Sequence, residues 1–334
     1  MRINSNEMSG QCSESHCIPG AQYLCTITIE QTVFHMLLDT GSTSIWVPSD
    51  RVDRRLWVNK NVLNTAQATS LLVGRDIFHQ QYAAGGVGGM KATVHMNFGG
   101  MLIRNVPFGL VMGGDENVYC HPFDGIIGLG RRPIFPENTN PFFHFVNQQG
   151  LMSRRFGFYF QDNGGSFLMG DNLERLISGP VTYIHVAEGP YWKTRVDWIF
   201  ISKTGFRTED HTIFDTGSNG IDLPGDIHMM INKVLGIWRI MQDDYVFDCG
   251  MLPFLPPIAF QIQGKRFQIM PRQYTKKTTN GKGTMCCTRF RNTTFNSPVG
   301  IVLGMSFLHS FQLIFDDHLG RVGFFARPGR SVIF

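Results

Sequence analysis

The stretch Phe34-His35-Met36-Leu37-Leu38-Asp39-Thr40-Gly41-Ser42 decides how this chain is read, because Ile213-Phe214-Asp215-Thr216-Gly217-Ser218 repeats it. In both, an apolar run leads into Asp-Thr-Gly-Ser. A buried strand holds such a turn rigidly, Gly permits it to be tight, and the Thr and Ser hydroxyls can bond the local backbone and the carboxylate. One copy alone reads as an ordinary Asx-type turn. The second copy comes with its surroundings: 89 positions beyond each Asp (39 to 128, 215 to 304) stands a Gly behind two aliphatics, Ile126-Ile127-Gly128 and Val302-Leu303-Gly304. Equal spacing implies two similar lobes, each carrying one Asp and one buried strand ending in Gly.

The rest of the chain agrees with a two-lobed, β-rich protein. Its 334 residues suit about two domains, and 37 Gly with 16 Pro imply many turns. Short runs of β-branched, aromatic and aliphatic residues end at Gly, Pro, Asn or Asp: Tyr23–Glu30, Val33–Leu38, Ala92–Phe98, Ser166–Met169, Ile258–Ile262 and Gln312–Phe315. Helices are expected at Pro141–Gln149 and at Pro224–Leu235, the latter closed by Gly236. The boundary falls near residues 170–185, giving a polar extension over 1–20, a first lobe over 21–175 and a second over 176–334.

Composition excludes some classes. The net charge of +4 comes from small clusters such as Arg51 with Arg54 and Arg55, or Lys276-Lys277, which read as solvated loop charge. No basic helix or aromatic-basic interleave points to nucleic acid. No segment of about 20 apolar residues exists to span a membrane, and residues 1–20 lack the apolar run of a secretory leader. The seven cysteines are Cys12, Cys17, Cys25, Cys120, Cys249, Cys286 and Cys287. None forms a Cys-x-x-Cys pair, the odd count leaves at least one thiol unpaired, and spacing alone does not fix the pairing. No cofactor or metal is expected.

The chemistry lies in the repeated motif. Two-fold packing of the lobes would bring Asp39 and Asp215 together. Two carboxylates near contact cannot both ionise cheaply, so they share one proton and titrate as a unit. The ionised member takes a proton from a bound water, and the protonated member donates to a scissile carbonyl oxygen.

Further residues carry a resemblance to a family. Trp46-Val47-Pro48-Ser49, Phe123-Asp124-Gly125-Ile126-Ile127-Gly128-Leu129-Gly130, Gly164-Gly165-Ser166-Phe167-Leu168-Met169-Gly170, Tyr191-Trp192, and Leu303-Gly304 followed by Phe307-Leu308 and Phe315-Asp316 stand in order along the chain. Together with the two Asp-Thr-Gly motifs, this set resembles the pepsin-like, bilobal aspartic proteases over roughly residues 20 to 328. The resemblance implies a mainly β, bilobal acid-protease fold and an aspartic endopeptidase acting as a monomer on protein or peptide substrates. It implies Asp39 and Asp215 as the catalytic pair, with Thr40, Gly41, Ser42, Thr216, Gly217 and Ser218 supporting them. Each Ser hydroxyl would bond the outer oxygen of its own Asp. Tyr82 falls where the family has the Tyr of its flap hairpin, its hydroxyl within reach of Trp46. Gly85, Trp46, Val118 and Tyr191 would help line the substrate cleft, along with Tyr119 and Phe123, while Ile126 and Ile301 are better core residues. By the same resemblance Cys249 pairs with Cys286 or Cys287.

The sequence also departs from the pattern. Ala83 and Ala84 replace the usual Gly-Thr of the flap, Met305 stands where many relatives place Asp, and no small disulfide loop follows Pro48-Ser49. An impaired homologue that only binds peptides is the alternative these departures allow; a carbohydrate- or metal-dependent hydrolase has no supporting pattern. The resemblance and the expected disulfide imply a secretory or acidic compartment, that is, secreted or endosomal, lysosomal or vacuolar. The Asn292-Thr293-Thr294 sequon points the same way. Residues 1–20 are too short and too weakly basic for the family's pro-segment, so a mature chain, or one made without a pro-segment, is expected.

Overall fold

The computed structural model describes residues 1–6, 22–83, 85–133, 141–162, 164–208, 210–241, 243–280, 283–293 and 299–334; of residues 2–6, 119, 279 and 280 it describes the backbone only. Contacts divide the chain into two units. Among the described residues the first holds 1–6, 22–155 and 161–171, and the second holds 156–160 and 172–334.

In the first unit the strands run in the order Gly164–Met169, Arg2–Asn6, Gln22–Ile29, Thr32–Asp39, Gly125–Gly128, Ile45–Pro48, Met101–Gly114, Gly85–Phe98 and Leu72–Tyr82. Gln22–Ile29 also pairs with Gly85–Phe98, which curls the sheet back on itself. The strand at 2–6 lies within the stretch expected as a polar extension; residues 7–21, with Cys12 and Cys17, lie outside the described residues. Thr32–Asp39 buries every residue from Met36 to Asp39. Continuous burial, in place of alternation, marks a strand covered on both faces, and its partner Gly125–Gly128 is parallel, with Asp39 opposite Gly128.

The second unit repeats this device. His211–Phe214 lies parallel to Ile301–Leu303, which pairs antiparallel with Ile221–Leu223, the strand just beyond the second Asp-Thr-Gly-Ser. In the first unit Ile45–Pro48 meets Gly125–Gly128 in the same antiparallel sense. The unit also holds a sheet of Thr204–Arg207, Trp198–Ile201, Ile258–Ile262, Lys265–Ile269 and Ser331–Ile333, and a four-stranded sheet within 239–288. Aromatic side chains dominate this core: Phe156 stacks on Phe315 at 4.9 Å, and Phe311 and Phe324 meet edge-on at 5.6 Å.

Helices are short. Phe142–Gln148 buries Phe142, Phe143 and Val146. Gly225–Val234 buries Ile227, His228, Ile231 and Asn232, the spacing of one helix face. Gly236 ends it at φ +73°, where the left-handed backbone lets the Ile237 N–H reach Asn232 O at 2.9 Å. Cys249 is bonded to Cys286, Cα atoms 4.9 Å apart. Cys120 and Cys287 are also disulfide-bonded, and Cys25 is a buried free thiol.

Candidate active site

Asp39 ends its strand with 5% of its surface exposed. The Gly41 N–H donates to Asp39 Oδ1 at 2.8 Å. The strand alongside fastens the turn: Leu129 N–H to Asp39 O at 2.7 Å, Gly128 N–H to Ser44 O at 3.0 Å, and Gly130 N–H to Ser42 O at 2.8 Å. A Cβ on Gly128 would stand 2.4 Å from the Thr43 carbonyl carbon, so this approach is open only to glycine.

The second motif repeats the geometry. Gly217 N–H donates to Asp215 Oδ1 at 2.8 Å. Asp215 N–H reaches Leu303 O at 3.2 Å, Gly304 N–H reaches Gly220 O at 3.1 Å, and Met305 N–H reaches Ser218 O at 2.7 Å. A Cβ on Gly304 would meet Ser218 O at 2.4 Å. Thr40 and Thr216 are buried, and Asp215 is half-buried. A carboxylate oxygen held by a main-chain donor is favoured in its ionised form. Met305 contributes a buried apolar side chain beside this turn.

The flap hairpin is formed by Leu72–Tyr82 and Gly85–Phe98, with Tyr82 opposite Gly85 at its tip; Ala84 lies outside the described residues. Period-2 alternation puts Phe78, Gln80 and Tyr82 on one face. Trp46 Nε1 donates to the Tyr82 hydroxyl at 2.8 Å, and Trp46 is wholly buried, edge-on to Trp57 and Phe123. Burial first, then the charge of Asp39, pushes the Tyr82 phenol well above its ordinary range, so it stays neutral and close enough to feel that carboxylate. The Ser42 hydroxyl is buried beside the same phenol and makes no hydrogen bond of normal geometry.

Two flap anchors escaped the sequence reading. Ser44 Oγ donates to Gln80 Oε1 at 2.8 Å inside the unit. Asp115 Oδ2 accepts the Gly86 N–H at 2.7 Å, while the Asp115 N–H returns to Gly86 O at 2.9 Å. Gly85, at φ +137°, has no room for a Cβ, which would sit 2.9 Å from Asp115 Cβ. The alternation that sets Gln80 and Tyr82 on one face was readable in advance; the partner of Asp115 was not, being 29 residues away.

Of the residues read as cleft lining, Trp46, Val118 and Tyr82 share one apolar cluster with Phe123 and Ile126. Val118 is 3% exposed, so its larger part is packing. Tyr191 is half-buried against Ile213, Val299 and Val302, beside the strand leading to Asp215. Ile301 is fully buried, as a core residue should be. The side chain of Tyr119 lies outside the described residues, as does Thr294 of the sequon.

Two charged clusters near the motifs were also missed. Arg291 grips Asp222 with Nε on Oδ1 at 2.6 Å and Nη2 on Oδ2 at 3.0 Å, and Nη2 also donates to Ser218 Oγ at 2.6 Å. Burial raises the Asp222 carboxyl, Arg291 opposing, and lowers the His228 imidazole. In the first unit Lys60, 8% exposed, donates its ammonium to the carbonyls of His121 and Phe123. Burial lowers Lys60 to about 8. Burial and then the Lys60 charge lower His121 to about 4. Asp124 beside them accepts from the His35 N–H at 2.7 Å and from Asn61 at 2.9 Å. Among the described residues no three His, Cys, Asp or Glu side chains converge as metal ligands would, and no helix is long and apolar enough to cross a membrane.

Sequence comparison places the chain that carries these turns. The eukaryotic aspartyl protease profile matches residues 22–327. The chain belongs to that family. Vacuolar protease A of Neurospora crassa is 28% identical to this aspartyl protease over 328 residues, 94% of this chain and 82% of that protein. Cathepsin D of Chionodraco hamatus is 27% identical over 305 residues, 87% of this chain and 77% of that protein. Cathepsin D of Homo sapiens is 25% identical over 316 residues, 87% of this chain and 76% of that protein. The aspartyl protease therefore has the mainly β, bilobal pepsin-like fold and is an aspartic-type endopeptidase by class. Of the two expected partners for Cys249, the protein uses Cys286.

Proposed function

We propose that the enzyme hydrolyses peptide bonds with a water activated between Asp39 and Asp215. The observation that carries this reading is the matched turn geometry: each Asp has one oxygen fixed at 2.8 Å by the N–H of the motif Gly, at the end of a buried strand. In this reading the two carboxylates act as a pair that shares one proton. The ionised one takes a proton from water as it attacks the scissile carbon; the protonated one donates to the carbonyl oxygen, giving a tetrahedral intermediate with no covalent enzyme bond. Ser42 and Ser218, at the same place in each turn, are read as supporting the pair; Ser42 lies beside the Tyr82 phenol and Ser218 Oγ accepts from Arg291. An extended peptide lies beneath the flap, capped by Tyr82, along Gly85, Trp46, Val118 and Tyr191, with alternate side chains in pockets. The monomeric enzyme acts on protein or peptide substrates, and its likeness to a relative named for the vacuole supports an acidic compartment.

The test is cleavage of a denatured protein between about pH 3 and 7, with and without a pepstatin-type inhibitor, for wild type, Asp39→Asn and Asp215→Asn. Cleavage that the inhibitor blocks and that each variant lowers by about a thousandfold supports the dyad. Folded wild type that binds the inhibitor and never cleaves would turn the reading to a peptide-binding homologue.

A further inference from the structure

The residue seven places past each motif Asp holds a second group against the motif Ser. In the first unit it is Trp46, which bonds Tyr82, whose phenol lies beside Ser42. In the second it is Asp222, which bonds Arg291, whose Nη2 donates to Ser218 Oγ at 2.6 Å. The pairing is structural: Ile221–Leu223 and Phe290–Asn292 run parallel with Asp222 opposite Arg291, so both side chains emerge on one face. The guanidinium lies over Gly220, where a Cβ would come within 2.9 Å of Arg291 Nε. From the other side, main-chain bonds from Gly304, Met305 and Ser306 hold residues 218–220. The turn is clamped between a backbone ladder and a planar cation.

A serine hydroxyl has one proton and two lone pairs. The Arg291 N–H occupies a lone pair, and its positive charge makes the remaining O–H a stronger donor. We propose that Arg291, gripped by Asp222, is a positioning residue for Asp215: it orients the Ser218 hydroxyl so that its proton is presented to the Asp215 carboxylate. The inference rests on the dyad reading. The charged and titratable groups around this ion pair are Asp222 on the facing strand, His228 on the helix 225–234, and Tyr245, whose ring meets that of His228 edge-on at 5.2 Å. A bidentate ion pair, partly buried at 30% and 19% side-chain exposure, suits this task because the fork fixes direction as well as charge.

The experiment measures kcat and KM from pH 3 to 7 for wild type, Ser218→Ala, the paired variant Arg291→Met with Asp222→Leu, and the triple variant. Removing both charges together avoids stranding a buried one. Expected for Ser218→Ala and for the pair alike is a fall in kcat of about tenfold with KM little changed, and an acid limb moved upward by about one pH unit. The triple variant should be no slower than Ser218→Ala, because Arg291 acts through that hydroxyl. Arg291→Lys, a cation without the fork, should fall between wild type and the pair, and gives the same comparison if the pair does not fold. Multiplying losses in the triple variant, an unmoved acid limb, or a change in KM alone would overturn the assignment while leaving the dyad standing. Failure of wild type to cleave would overturn the dyad reading and this one together.

Discussion

His121 makes stability depend on pH in a direction the structure specifies. Its ring stacks on Phe123 at 5.2 Å, pairs with Gln22 at 3.3 Å, and lies by the Lys60 ammonium. Folding lowers its pKa from 6.5 to about 4. Below pH 6.5 the unfolded chain takes up a proton that the folded chain refuses, so stability falls as pH falls, and the loss is complete below about 4. Each pH unit in that window costs about 1.4 kcal/mol, so the window costs about 3 kcal/mol in all. His121→Gln keeps a partner for Gln22 and removes the titration. Urea unfolding at about pH 7, 5.5 and 4 should show the variant gaining about 3 kcal/mol on wild type across the series. Lys60→Met should shrink the wild-type slope, since its charge is the second cause of the shift. Comparison by difference cancels the carboxylates titrating in the same range. Parallel pH curves for wild type and His121→Gln would refute the reasoning.

Tyr82→Phe leaves the buried Trp46 Nε1–H without its acceptor, which should lower stability by about 1–3 kcal/mol in chemical denaturation and reduce kcat/KM as the flap tip loses its anchor. Removing the Cys249–Cys286 bridge with a Ser pair releases a loop of sequence separation 37. The expected loss is about 4 kcal/mol, read as a lowered denaturation midpoint that reductant no longer changes for that bridge.

Much of the fold was legible because it is written in local pattern. The strand at Ile258–Ile262 runs over the expected residues, and the helix at 225–234 starts after Pro224 and stops before Gly236 as its punctuation implies. The pairing of Asp39 with Gly128 and of Phe214 with Leu303 follows the repeat of 89 residues. The choice of Cys286 over Cys287 was not legible: adjacent residues on one strand point to opposite faces, and only the register with Asp244–Phe247 says which faces Cys249. Lys60 with His121, and Asp115 with Gly86, were hidden for the same reason.

By itself the sequence determined the two Asp-Thr-Gly-Ser turns, their buried strands, the glycines that close them and the membership these imply. Such features are local or periodic, and so survive without knowledge of distant neighbours. Only the tertiary structure decided what stands against each motif serine. Tyr82 and Arg291 come 40 and 73 residues after Ser42 and Ser218, and nothing in either short stretch announces the other. Strand register brings them there, and register is a property of the packed sheet, set by which side chains can share one buried face.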